Sequence, residues 1–144
     1  MAERVVSHTK FVAAPPEEIF ALLQDPSKLA EIDGSDMVLG QRGESQRLEM
    51  GSKFGMDMKL GPIPYRMSSK VVEFEQDRLI AWAHFGKHRW RWELEPVEGG
   101  TNVTESFDWS TSIFPKGIEL AGYPKKNGEA VEQTLEKLAA RFAD

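Results

Sequence analysis

The spacing of apolar positions changes period twice along the chain. Residues 4–12 alternate weakly and stop at Ala13-Ala14-Pro15-Pro16. This predicts a strand running into a helix whose first turn accepts proline, because an N–H there has no intrahelical partner. Glu17 and Glu18 fall in that turn, where the helix dipole favours negative charge, and Ile19, Phe20, Leu22 and Leu23 supply an apolar face. Asp25-Pro26 repeats the device and predicts a second short helix over 26–32, ended by Asp33-Gly34-Ser35. From Met37 the period becomes two: Phe54, Met56, Met58 and Leu60 alternate with Lys53, Gly55, Asp57 and Lys59. Gly61-Pro62-Ile63-Pro64 breaks this run, and further strands are expected over 65–74, 79–85, 88–95 and 101–109. After Ser110 the strand pattern ends. Asn127 is the candidate N-cap of a closing helix with Val131, Leu135, Leu138 and Phe142 on its apolar stripe; whether a helical turn precedes Pro124 stays open.

Short turns give the last three strands a register. Phe85-Gly86-Lys87-His88 reads as a two-residue hairpin with glycine first, pairing Ala83 with Trp90 and Ala81 with Trp92. The turn at Gly99-Gly100 pairs Trp90 with Trp109, Trp92 with Phe107 and Leu94 with Glu105. Both registers put Ala81, Ala83, Phe85, Trp90, Trp92, Leu94, Val103, Phe107 and Trp109 on one face, with Glu105 among them. Trp82, Arg91 and Asp108 then share the solvated face, as do Ile80, Glu93 and Ser106. Small residues opposite large ones leave a concavity partly open. In the 65–74 strand, either Tyr65, Met67, Ser69 and Val71 face inward or Arg66, Ser68, Lys70, Val72 and Phe74 do. A bulge at Val71-Val72 mixes the two.

The 144 residues suit one α+β domain spanning 1–144. The chain has no cysteine, which removes disulfides and thiolate chemistry and fits a reducing, cytoplasmic setting. Its formal charge of −5 opposes nucleic-acid binding through a net basic field. The N-terminus is too polar for a signal-peptide core, and no apolar run reaches the ~18–20 residues of a membrane span.

With Phe11-Val12-Ala13-Ala14-Pro15-Pro16-Glu17-Glu18-Ile19-Phe20 and Asp25-Pro26 near its start, the chain resembles the START-like superfamily. Within it, the chain is similar to the polyketide cyclase/dehydrase and lipid-transport group. The likeness continues through Arg89-Trp90-Arg91-Trp92-Glu93-Leu94-Glu95-Pro96, Gly99-Gly100-Thr101, Val103-Thr104-Glu105-Ser106 and Thr134-Leu135-Glu136-Lys137-Leu138. It implies a helix-grip fold: a curved seven-stranded antiparallel sheet gripping a long C-terminal helix, with two short helices between the first two strands. It also implies a cavity for a lipid, polyketide or other flat hydrophobic molecule.

The candidate ligand-binding residues are Phe54, Met56, Met58, Ala81, Ala83, Trp90, Trp92, Glu105, Phe107, Trp109 and Tyr123, since pockets are lined mainly by apolar and aromatic groups. Phe54, Met56 and Met58 contribute adaptable side chains. Glu105 is the weak candidate for a catalytic acid or base, because burial favours the neutral carboxyl. His84 and His88 are expected on opposite faces, so no metal site is assigned, and no cofactor is expected. Lys125-Lys126 reads as a solvated approach to the last helix. The leading function is binding of a small hydrophobic molecule. A cyclase/dehydratase using Glu105, with Tyr65 or Tyr123, is the alternative. A regulatory module with an outer patch at Ile80 and Trp82 is the third reading. Oligomeric state is left undetermined.

Overall fold

Ala13-Ala14-Pro15-Pro16 turns the chain as its composition demands. In the computed structural model, which describes residues 4–25, 28, 38–42, 47–60, 62–84 and 87–142, β1 (Val5–Val12) leads into α1 (Pro16–Leu23). Pro15 is the extended N-cap, Glu17 and Glu18 lie in the first turn, and Ile19, Phe20, Leu22 and Leu23 are buried. Gln24 ends the helix and is itself buried; its Nε2 donates to Leu48 O at 2.9 Å. The second helix expected over 26–32 falls outside the described residues, Lys28 apart.

The remaining strands are β2 (Val38–Arg42), β3 (Lys53–Leu60), β4 (Ile63–Glu75), β5 (Leu79–Ala83), β6 (Arg89–Val97) and β7 (Gly100–Asp108). They form one antiparallel sheet in the order β1-β7-β6-β5-β4-β3-β2. Two helices close the chain, α2 (Pro115–Leu120) and α3 (Tyr123–Arg141). α3 starts four residues before Asn127, behind Gly122 in the left-handed region, and takes Pro124 in its first turn. Proline there removes no intrahelical hydrogen bond, so it opens this helix rather than interrupting it.

The β5–β6 register differs by one residue from the one the turn composition suggests. Trp82 pairs with Trp90, Ile80 with Trp92 and Ala81 with Arg91. Five residues therefore separate the last paired positions, Ala83 and Arg89, and Lys87 takes φ 66° within that connection. The tip residues Phe85 and Gly86 are outside the described set. Ala81 and Ala83 consequently face away from the helices, while Ile80 and Trp82 face inward. The outer apolar patch expected at Ile80 and Trp82 is thus absent, and Trp82 does not share a face with Arg91 and Asp108. The physical reason is visible on both faces. Inward, Trp82 is almost fully buried. Outward, the small Ala81 lets Glu73 on β4 reach over β5 to Arg89 Nη1 (3.1 Å) and Arg91 Nε (3.2 Å) on β6. Arg91 also pairs with Glu93.

In the β6–β7 hairpin, Trp90 pairs with Phe107, Trp92 with Glu105 and Leu94 with Val103. This is a shift of two from the expected pairing, and an even shift preserves the face. On β4, Tyr65, Met67, Ser69 and Val71 point inward up to an irregularity between Val71 and Glu73. Beyond it Phe74 turns inward and meets Phe20 edge-to-face at 5.7 Å. Both readings of this strand hold, one on each side of the bulge.

α3 packs chiefly along β1 and β7, and α1 against β6. The half of the inner face near α1 is filled by Phe20, Leu23, Leu48, Val71, Ile80, Leu94, Val103 and Leu138. Among the described residues no helix is long and apolar enough to cross a membrane. Gly100 marks one close approach: a Cβ there would stand 2.2 Å from Val12 O and 2.9 Å from Phe11 Cζ. Gly100→Ala must therefore push β7 from β1. A loss of about 1–3 kcal/mol is expected, read as a fall in the urea midpoint at unchanged slope.

Candidate functional site

Because α3 lies along β1 and β7, the inner faces of β3, β4 and β5 are left without helix cover at the end away from α1. A cavity of about 360 Å³ opens there. Its sheet wall carries Phe54, Met56 and Met58 from β3, Tyr65, Met67 and Ser69 from β4, Trp82 from β5, Trp90 and Trp92 from β6, and Glu105 and Phe107 from β7. The helical wall is Ile118 of α2 and Tyr123, Asn127, Ala130, Val131 and Thr134 of α3. His84 and His88 complete it.

The aromatic rings form a connected surface. Phe54 meets Trp82 edge-to-face at 5.6 Å, and Trp90 lies 4.9 Å from Phe107. Register explains this directly, since Trp82, Trp90 and Phe107 are consecutive cross-strand neighbours. Phe54, Met56, Met58, Trp90, Trp92, Glu105, Phe107 and Tyr123 thus stand on the wall where sequence reasoning put them. Three expected wall residues do not. Ala81 and Ala83 face outward because of the one-residue register difference. Trp109 is buried but stands off the wall, stacked on Phe107 at 5.5 Å with its Nε1 donating to Glu119 Oε2 at 2.9 Å. That bond, with Arg4 Nε at 3.2 Å from the same oxygen, fastens α2 to the sheet. The Trp109 hydrogen bond, helped by Arg4, holds the Glu119 carboxyl below its ordinary pKa.

Trp82 and His84 are wall residues that turn chemistry alone conceals, while His88 faces inward as the turn suggests. Strand parity carries inward from Trp82 to His84, and His88 shares the parity of Trp90. The two imidazoles meet at 5.3 Å, and His88 also contacts Phe107 at 5.5 Å. Ser69 Oγ and His84 Nδ1 are 2.6 Å apart in one hydrogen bond. Burial, and then the proximity of His88, pushes the His84 pKa down to about 4, against a hydrogen bond with the Ser68 backbone. Burial lowers His88 as well. Both rings are therefore neutral at pH 7, each offering one donor and one acceptor. Burial, then Tyr123, raises the Tyr65 phenol. Glu105 is buried on the same wall, directly opposite Trp92 across the strands. Lys70 and Arg66, considered as partners for it, are exposed and face away. Trp92 Nε1 and His88 Nδ1, both on the wall, are buried without a hydrogen-bond partner. Among the described residues, no three His, Asp or Glu side chains are grouped so as to hold a metal ion.

Comparison with known proteins places these features in a wider setting. The sequence model of the family described as polyketide cyclase/dehydrase and lipid transport matches residues 3–143. An uncharacterised protein of Mycobacterium tuberculosis is 40% identical over 143 residues, covering 96% of this chain and 64% of that protein. The chain thus spans a little under two thirds of that relative's length. Among solved structures, a Chromobacterium violaceum protein superposes with a TM-score of 0.73 at 16% identity, covering 98% of this chain and 99% of that one. A Nitrosomonas europaea protein gives 0.71 at 19% identity, covering 98% and 97%. The AHSA1-like protein from Aeromonas hydrophila gives 0.67 at 19%, covering 95% and 93%. At such identities the likeness is one of fold.

The depressed histidines make stability pH-dependent with a definite sign. An unfolded histidine takes a proton near pH 6.5, whereas folded His84 resists until about pH 4. Stability therefore falls as the pH drops through that window and is unaffected by His84 above it. His84→Asn should remove a decline on the order of a few kcal/mol. Urea midpoints of wild type and variant near pH 7 and pH 4.5 give the difference, which cancels the carboxylates titrating in the same range.

Proposed function

Since the chain belongs to the polyketide cyclase/dehydrase and lipid-transport family, we propose that it holds a small, flat hydrophobic molecule between the sheet and α3. The observation that carries this reading is the cavity of about 360 Å³ walled by Trp82, Trp90, Trp92, Phe54 and Phe107 with Met56, Met58 and Met67. That size falls within the ~300–1,000 Å³ of small-molecule pockets. Indoles give large rigid contact area, and methionines adapt to irregular edges. The guest is amphipathic rather than a plain hydrocarbon. A carbonyl or hydroxyl oxygen accepting from Trp92 Nε1, and a group meeting His88 Nδ1, would satisfy polar atoms whose burial otherwise costs about 1–3 kcal/mol each. Neutral imidazoles add no charge to repel such a guest.

The buried carboxyl of Glu105 supports a second reading, a cyclase/dehydratase-type reaction in which it moves a proton on a polyketide-like substrate held by the same wall. Glu105→Gln keeps the shape of the side chain and removes its proton-accepting power. It should then abolish turnover and leave binding within a few-fold.

The binding reading is tested by titrating 1-anilinonaphthalene-8-sulfonate, long-chain fatty acids and polycyclic phenols into the protein while following tryptophan emission. Quenching that saturates is expected from at least one class. Ala130→Phe, which extends into the cavity from α3, should weaken it by about tenfold or more while changing stability by less than ~1.5 kcal/mol. A flat response across all three classes would falsify the reading.

A further inference from the structure

α2 has no buried residue, although it is fastened to the sheet through Glu119. Ile118 reaches the cavity and Glu119 turns to Trp109 and Arg4. Leu120 falls on the side of the helix opposite Ile118, and Phe114, Gly117 and Ala121 are exposed as well. Leu120 is 90% exposed and Phe114 62%. Ile63, at the tip of the β3–β4 hairpin, is 64% exposed and two residues from Tyr65, which lines the cavity and interacts with Tyr123 at the start of α3. A single exposed leucine needs no explanation, but apolar side chains from two elements around one opening do.

The charge of this corner runs against that of the whole chain. Lys116, Lys125 and Lys126 are all exposed beside the apolar prongs. The one acid of α2, Glu119, is engaged by Trp109 and Arg4, and the first turn of α3 has none. The formal charge of the chain is nevertheless −5.

We propose that this corner docks on an anionic lipid bilayer, with Phe114, Leu120 and Ile63 entering the acyl boundary and Lys116, Lys125 and Lys126 meeting the lipid phosphates. The combination suits a fluid anionic interface, where buried apolar area and cationic attraction add. It suits a protein partner poorly. Protein interfaces deplete lysine and concentrate energy in aromatic or arginine anchors seated in pockets, whereas these prongs stand proud of the surface. Against a second copy of the chain, the three ammonium groups would oppose one another. Docking here sets Ile118 and Tyr123, and so the cavity mouth, at the membrane. That lets a guest pass between bilayer and cavity without crossing water, a consequence that rests on the binding reading above; the docking itself does not.

Flotation of the full chain with vesicles of phosphatidylcholine, alone or mixed with phosphatidylglycerol, tests this. Binding is expected to the mixed vesicles, about tenfold or more weaker to phosphatidylcholine alone, and weakened by salt. Phe114→Ser with Leu120→Ser should lower it by at least about tenfold. Lys125→Glu with Lys126→Glu should erase the preference for phosphatidylglycerol. All four positions are exposed, so circular dichroism and melting temperature should match wild type and show that the fold is intact. Three results would overturn the proposal: no flotation of wild type with the mixed vesicles at low salt, unaltered flotation of the serine variant, or a dimer in sedimentation velocity that Leu120→Ser dissolves. Dye binding and vesicle binding, measured on the same protein, separate the two ideas. Vesicle binding without dye binding in wild type counts against the guest alone, and the reverse counts against docking alone.

Discussion

The structure turns on which face of β5 meets the helices. Trp82, Trp90 and Phe107 form one cross-strand row, and the register that aligns them is the one that buries the indole of Trp82. Burying an aromatic side chain of about 150–250 Å² is worth on the order of 4 kcal/mol. The ion pairs of Glu73 with Arg89 and Arg91 on the other face add little by comparison, as partly exposed pairs do. Their role is directional, because they fit only where Ala81 lies between them. A five-residue connection between Ala83 and Arg89 follows from that choice. It carries His84 and His88 to the cavity instead of a tight turn.

From this register comes a division of the inner face into a solid and an open half. Toward α1, Phe20, Phe74, Ile80, Leu94 and Val103 interlock as an ordinary core. Toward α2, the same strands present their largest rings to a space that α3 borders but does not fill, since that helix packs along β1 and β7. Trp92 and Glu105 stand at the boundary as cross-strand partners. A hollow lined by rigid indoles resists collapse, because no flexible aliphatic chain is available from the helix to fill it: Ala130 and Thr134 are short.

The polar atoms of the cavity are few and uncharged where histidine supplies them. Low local dielectric suppresses protonation of both imidazoles, and their closeness adds to the effect on His84. The hydrogen bond between Ser69 and His84 fixes one ring, and His88 packs against that ring and Phe107. Family membership agrees with ligand binding, while the solved structures at 16–19% identity share the fold alone.

The sequence by itself determined the strand–helix start, the strand run, the α+β class, and the inward side of Trp90, Trp92, Val103, Glu105 and Phe107. Those follow from period-two alternation, and the two-residue shift between the expected and observed β6–β7 pairings left the face unchanged. Only the tertiary structure decided the β5 register, because Ala81-Trp82-Ala83 alternates equally well in either sense and local turn preference is weaker than burial of one indole. It also decided the fate of Trp109, whose parity is inward but whose N–H is claimed by Glu119, ten residues on. The β4 bulge likewise needed Phe20 of α1 to draw Phe74 inward. Periodicity is a property of neighbours in the chain. Which side wins when both are apolar is settled by groups distant in sequence that compete for the same buried space.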